Sequence, residues 1–206
     1  MSRVAVYIDG FNLYHSLLEA AKISPQGNRL KWLNLRKLVE NQLSPSKRIV
    51  QIKYFTALFP DPQKERRHKK YLSVLKDTGI EVVYGKFKVR DKKCRICRRF
   101  YKTHEEKRTD VNIAVHILRD AFTNLFDTAI LISGDTDITP ALELTKAETG
   151  KRLTVYMPYN RKNRELSRVA DSVYRISVAD LEAALFHQSH IARDGRRLTM
   201  PPEWTH

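Results

Sequence analysis

The sequence predicts an α/β domain built on a mostly parallel central sheet. Three observations carry this. Short apolar runs recur along the 206 residues, at 4–8, 48–58, 80–87, 128–133 and 153–156. Stretches with helical periodicity separate them, as βαβ units require. Polar turn residues close the runs, as in Asp9-Gly10 and Gly134-Asp135.

Taken in order, residues 4–8 (VAVYI) read as a buried strand, and a helix follows over 11–21. Residues 25–28 break the pattern. Asn34 is placed to cap a second helix bearing Leu35, Leu38, Val39 and Leu43. A strand at 48–58 leads to Pro60 and Pro62, then to a charged helix reaching Asp77, with Tyr71, Leu72 and Leu75 as its apolar face and Gly79 at its end. A third strand is expected over 80–87. Residues 86–108 differ in character and read as an insertion. The helix over 109–122 is expected to bury Val111, Ala114, Val115 and Leu118. TAILIS at 128–133 is a fourth strand, and Gly134-Asp135-Thr136-Asp137 is its exit loop. Pro140 fits the first turn of a helix ending near Gly150. A strand at 153–156, a short edge strand at 173–176 and a helix at 178–187 complete one domain, 1–187. Residues 188–206 are expected to form a loose tail.

Hydrophobic residues make up 42% and charged residues 30%, which fits a globular chain rather than a disordered one. No apolar run approaches the length of a membrane span, so no membrane association is expected. The first ten residues lack the long apolar region of a secretion signal, and a cytoplasmic location is expected. Thirty-eight Lys and Arg against 23 Asp and Glu give a net charge of +15. Such an excess favours a polyanionic partner, because each phosphate neutralised releases counterions. Neither GxGxxG nor GxxxxGK[ST] occurs, so nucleotide-binding readings lack their fingerprint.

Against this basic background, four acids stand at strand ends. In open α/β sheets, ligands bind beyond the carboxyl ends of the strands. Asp9 ends the first strand, and Asp135 and Asp137 follow the fourth. Asp110 opens the helix before the fourth. If strands one and four are neighbours where the strand order reverses, all four acids face one crevice. Carboxylates crowded together stay ionised only around a cation, and all-oxygen ligands select hard ions such as Mg²⁺ or Mn²⁺. Each acid also has a simpler role: Asp9 in a turn, Asp110 favouring a helix dipole, Asp135 and Asp137 shaping a loop.

Three motifs then give a resemblance. VAVYIDGFNLYHSL, EKRTDVNIAVHIL and ILISGDTDITPAL resemble, in order and spacing, the motifs of the NYN family of PIN-like nucleases, over roughly residues 3 to 180. The CxxC ahead of TDV is most similar to the LabA-like subgroup. The resemblance implies a three-layer α/β/α sandwich and metal-dependent ribonuclease activity. It implies metal-binding roles for Asp9, Asp110, Asp135 and Asp137, and a role for Asn12 in orienting a water or phosphate. Ser133 and Thr109 match polar positions beside the acids. His116 stands where similar sequences often carry an acid. It lies six positions beyond Asp110, on another helix face, and reads as structural. A non-catalytic RNA-binding module with the same fold is the alternative.

Cys94 and Cys97 are the two cysteines of the chain. Their CxxC spacing fits half a zinc site, completed by His104 or shared across a homodimer, with His68 a more distant option; two unpaired thiols on a basic hairpin are the simpler reading, and a redox pair lacks the surrounding thioredoxin-like strand and helix. Eleven of the 23 residues at 86–108 are Lys or Arg. Lys92, Lys93, Arg95, Arg98, Arg99, Lys107 and Arg108 lead toward Asp110, with Phe87, Phe100 and Tyr101 interleaved as stacking surfaces. The segment is a candidate arm guiding RNA to the acids, and Arg161 and Lys162 are a candidate second basic rim.

Overall fold

The structure, a computed structural model, describes residues 1–205. In chain order, β1 (Ser2–Asp9) runs into α1 (Gly10–Ala20), and α2 (Leu35–Glu40) leads to β2 (Lys47–Thr56). Next come α3 (Pro62–Asp77), β3 (Glu81–Tyr84), β4 (Lys86–Lys93), β5 (Phe100–Lys107) and α4 (Thr109–Phe122). The chain continues through β6 (Thr128–Ile132), α5 (Thr139–Thr149), β7 (Arg152–Met157), α6 (Arg164–Val169), β8 (Ser172–Arg175) and α7 (Val178–Ala183). It closes with β9 (Ser189–Ile191) and β10 (Arg197–Thr199).

Six strands form the central sheet in the order β3-β2-β1-β6-β7-β8, with every neighbouring pair parallel. The order turns between β1 and β6, where an α/β sheet opens its crevice. The two-residue period of β1 divides the core. Val4, Val6 and Ile8 pack with Leu13, Leu17, Leu38, Leu72 and Leu181 on one face. Ala5 and Tyr7 pack with Ile113, Ile117, Leu142 and Leu166 on the other. Helices therefore cover both faces, giving three layers, and each buried Leu or Ile contributes roughly 1.5–3 kcal/mol.

The expected cap at Asn34 forms, accepting from the Lys37 N–H at 3.0 Å. Asp61, not singled out from the sequence, caps α3 through the Lys64 N–H at 2.9 Å. Gly79, at φ +79°, ends α3 in the left-handed region.

Three details depart from the sequence reading. The stretch 80–87 is not one strand: the sheet strand β3 ends at Tyr84, and β4 begins an antiparallel hairpin with β5. Gly85 is the hinge, because a Cβ there would lie 2.6 Å from Glu106 Oε1 and 2.8 Å from Lys107 O. The buried face of α4 is Ile113, Ile117, Asp120 and Ala121, while Val111 and Val115 are exposed. The C-terminal segment packs rather than hanging loose. Its β9–β10 hairpin is held by His190 Nε2 and the Arg193 N–H on Asp77, Met200 is buried, and Trp204 packs edge-on against Trp32.

Candidate metal centre and nucleic-acid interface

Parallel pairing sets the site. Ile8 lies opposite Ile132, so Asp9 and Ser133 leave the sheet side by side. The Ser133 hydroxyl donates to Asp9 Oδ2 at 2.8 Å and accepts from the Asp135 N–H at 3.1 Å. Asp9 Oδ1 accepts from the N–H groups of Phe11 and Asn12, capping α1. The turn and the crevice thus use the same carboxylate. Gly10 makes this entry possible, since a Cβ there would meet Phe55 O at 2.6 Å and the Tyr54 ring at 2.7 Å.

Asp110 stands in the first turn of α4. That helix starts sharply: Arg108 is left-handed at φ +82°, and Glu106 accepts from both the Thr109 N–H and its hydroxyl. Asp9, Asp110 and Asp135 each bring a carboxylate oxygen within 4.8 Å of the others. The crowding shows in their acidity. Asp110 is pushed up to about 6, first by its burial and then by the charges of Asp9, Asp135, Glu106 and Asp137. Burial lifts Asp9 above the usual carboxylate range, although the Asn12 N–H and the Ser133 hydroxyl pull it back.

These donors suit a hard divalent cation. Two oxygens bound at about 2.1 Å can lie at most about 4.2 Å apart, so small rotations close the observed spread. Asp9 is 3% exposed, and the Ser133 hydroxyl, donating to Asp9 and accepting from the Asp135 N–H, links the two strand ends. A divalent ion would relieve the repulsion that raises Asp110.

Other candidates fall elsewhere. Asp137 is exposed and outside the group of three; its N–H donates to Asp135 Oδ1 at 3.0 Å. Its side chain lines a cavity of about 580 Å³ with Thr139, Glu143 and Arg168. Asn12 Oδ1 accepts from the Gly134 N–H at 2.9 Å, and the Gly134 carbonyl accepts from Asn163 Nδ2 at 3.0 Å. Asn12 therefore clamps the acidic loop, where the sequence reading gave it a water or phosphate. His116 packs edge-on against Phe55, with ring centroids 5.5 Å apart, in its expected structural place.

The CxxC forms the tip of the β4–β5 hairpin, with the Cys94 N–H bonded to Arg99 O at 2.8 Å. His104 does not join it. It pairs with Val89, four residues along β5 from Phe100, and its ring lies on Phe59 with centroids 5.1 Å apart. That ladder offset corresponds to roughly 13 Å. His68 sits on α3, facing the Thr56 hydroxyl at 3.5 Å.

Lys92, Lys93, Arg95, Arg98 and Arg99 are exposed along the hairpin, and Arg108 is exposed at the start of α4. The hairpin's ion pairs involve Arg90 and Lys107, both with Glu105. Of the aromatics, Phe87 packs against Phe11 and Phe59, whereas Phe100 and Tyr101 are exposed. Arg161 is engaged with Glu19 at 3.0 Å. Lys162 instead lines a cavity of about 530 Å³ with Arg164, Arg168, Arg175 and Asn163. None of these four cations has a carboxylate partner among the described residues. Arg164, Arg168 and Arg175 are scattered through a short helix and a strand end and do not stand out as a group in the sequence. Nor does Glu106, whose capping role depends on the hinge at Gly85.

The family model described as the NYN domain matches residues 3–177. The chain belongs to the NYN domain family. This NYN domain is also 32% identical over 198 residues to 6-hydroxy-3-succinoylpyridine 3-monooxygenase of Pseudomonas putida; the match covers 79% of this chain and 61% of the relative. The chain thus spans about three-fifths of that relative's length. A Vibrio parahaemolyticus protein of unknown function has a similar fold at TM-score 0.62 and 20% identity, covering 90% of this chain and 96% of that one. No helix among the described residues is long and apolar enough to cross a membrane.

Proposed function

We propose that this NYN domain is a metal-dependent endoribonuclease that hydrolyses RNA phosphodiester bonds with Mg²⁺ or Mn²⁺ at Asp9, Asp110 and Asp135. The observation that carries the reading is the meeting of three carboxylates at the strand-order switch of a chain with net charge +15. When bound, the cation supplies Lewis-acid polarisation of the scissile phosphate and acidifies a water.

The chain's own residues do the rest. Ser133 ties the Asp9 carboxylate to the Asp135 backbone, and the Asp137 N–H steadies the Asp135 carboxylate. Asn12 and Asn163 pin Gly134 from both sides, so the acidic loop is set before substrate arrives. Asp137 tunes the field at the rim, through its charge on Asp110. Unpaired cations flank the crevice in two places. The β4–β5 hairpin leads into Asp110, and Lys162, Arg164, Arg168 and Arg175 surround the cavity beside Asn163. RNA laid across the carboxyl edge of the sheet contacts both, with Phe100 and Tyr101 offering stacking surfaces.

Labelled RNA and DNA, incubated with Mn²⁺, Mg²⁺ or EDTA beside Asp135→Asn, test the reading. Cleavage of RNA that needs the metal and falls by about a hundredfold or more in the variant is the expected result. Equal cleavage by both proteins sinks the mechanism. RNA binding without cleavage in any metal favours a non-catalytic RNA-binding module. The Pseudomonas relative's name motivates one further arm, oxygen uptake with 6-hydroxy-3-succinoylpyridine. The all-carboxylate donor set resembles a hydrolytic hard-cation site more than the two-His, one-carboxylate set of non-haem iron oxygenases.

A further inference from the structure

The hairpin tip has a feature that phosphodiester cleavage does not use. Cys94 and Cys97 face each other across a tight turn in which the Arg98 N–H donates to Cys94 O at 3.0 Å and Arg98 is left-handed at φ +56°. Both side chains stand at the hairpin tip, Cys97 exposed and Cys94 partly so, where a metal bound as the thiolates can be reached from solvent.

The pair nonetheless offers two ligands where tetrahedral zinc takes four. No other cysteine exists in the chain. His104 is turned onto Phe59. Among the described residues, the three aspartates of the crevice form the one group of three or more metal-ligating side chains. A tetrahedral site at this tip would draw its other two ligands from outside the chain. The tip is free to receive them: Ile96 is 94% exposed and Phe100 73% exposed.

We infer that the CxxC tip is half of a tetrathiolate zinc site, completed by Cys94 and Cys97 of a second copy of this chain. A two-fold axis through the metal converts two identical half-sites into one closed Cys₄ site. Arg95, Arg98 and Arg99 crowd the tip, and two such tips repel each other without metal. Zinc bound by four thiolates carries net negative charge, which these arginines neutralise. Zinc is therefore the condition for the tips to meet. Each thiol still protonated loses its proton on binding, so acid weakens the link. The joined hairpins place the exposed aromatics Phe100 and Tyr101 of both copies together.

The inference does not depend on the nuclease reading, and its test needs no activity. The 206-residue chain is purified with zinc present; metal content is measured by mass spectrometry and molar mass by light scattering, before and after chelation. The expected result is half a zinc per chain and a dimer that falls to a monomer on chelation. Cys94→Ser and Cys97→Ser should each lose both zinc and dimer, and His104→Ala should keep both. The tip is exposed, so the serine variants should retain the parent's circular dichroism and thermal midpoint, separating a lost link from a lost fold. One zinc per chain in a monomer, no zinc, a dimer that survives chelation, or one dissolved by reductant alone overturns it.

Discussion

Asp110 carries opposite demands in the metal-free site and in the metal-bound site proposed for it. Its folded carboxyl is pushed up to about 6 from an ordinary 3.8, by burial first and then by its acidic neighbours. A raised acid costs stability in its ionised form. For the metal-free protein the cost appears as pH rises through about 3.8 and is complete above about 6. Asp110→Asn should therefore stabilise the metal-free fold near neutral pH by about 1–2 kcal/mol, allowing for solvent screening, with the difference vanishing near pH 4. Thermal melts in EDTA across that range check this, and a destabilised variant at neutral pH would show that the carboxylate is structural. The same proton competes with metal. Binding of Mn²⁺, followed by calorimetry, should weaken about tenfold per pH unit below about 6 and level off above it. At this scale the sequence is uneven evidence. Asp9 and Asp135 are readable because strand ends fix their direction. Asn12 and Asp137 are not, because loop hydrogen bonds decide where an Asn oxygen or an exposed carboxylate goes.

Helix α4 shows where periodicity misleads. It has two apolar stripes, one through Val111, Val115 and Leu118 and one through Ile113, Ile117 and Ala121. The second contains Asp120, which marks it as the solvent face by composition. The structure buries it, because Lys53 of β2 lies 2.5 Å from Asp120 and the Tyr7 hydroxyl donates to it at 2.9 Å. Burial alone would raise Asp120, but hydrogen bonds from Lys53, Arg119 and Tyr7 outweigh it and hold the carboxyl low. A lone chain position cannot reveal a partner 67 residues away. The stability this carboxylate provides is present above its ordinary range and lost as pH falls through its lowered folded value. Asp120→Asn leaves Lys53 charged in the core, and should cost about 3–5 kcal/mol in urea unfolding. Val115→Ala, on the exposed stripe, should change stability by no more than about 0.5 kcal/mol. Equal costs would mean that the buried pair has been misassigned. The strands were easier to read: their continuous apolar runs admit few other placements, and only Gly85, a hinge set by steric contact with Glu106, splits one of them.

Across the whole molecule, net charge is legible from composition but its distribution is not. The hairpin cations are contiguous in sequence and announce themselves. Lys162, Arg164, Arg168 and Arg175 become one group only when β7, α6 and β8 converge around a cavity beside the acidic loop. If RNA passes over both regions, each contributes separately to the salt dependence of binding. On single strands each neutralised phosphate adds about 0.7 to the slope of log affinity against log salt. Replacing the four cavity cations by Gln should lower that slope by about 3, and replacing Lys92, Lys93, Arg95, Arg98 and Arg99 by Gln should lower it by about 3.5. The two sets lie on separate elements, so their effects should add. Binding can be measured by fluorescence anisotropy with Asp135→Asn protein, which removes cleavage from the readout. An unchanged slope in the cavity variant would take the β7–β8 side off the RNA path and leave the hairpin as the sole basic contact. Additive losses would instead place both basic groups in contact with the RNA, one on each side of the three aspartates.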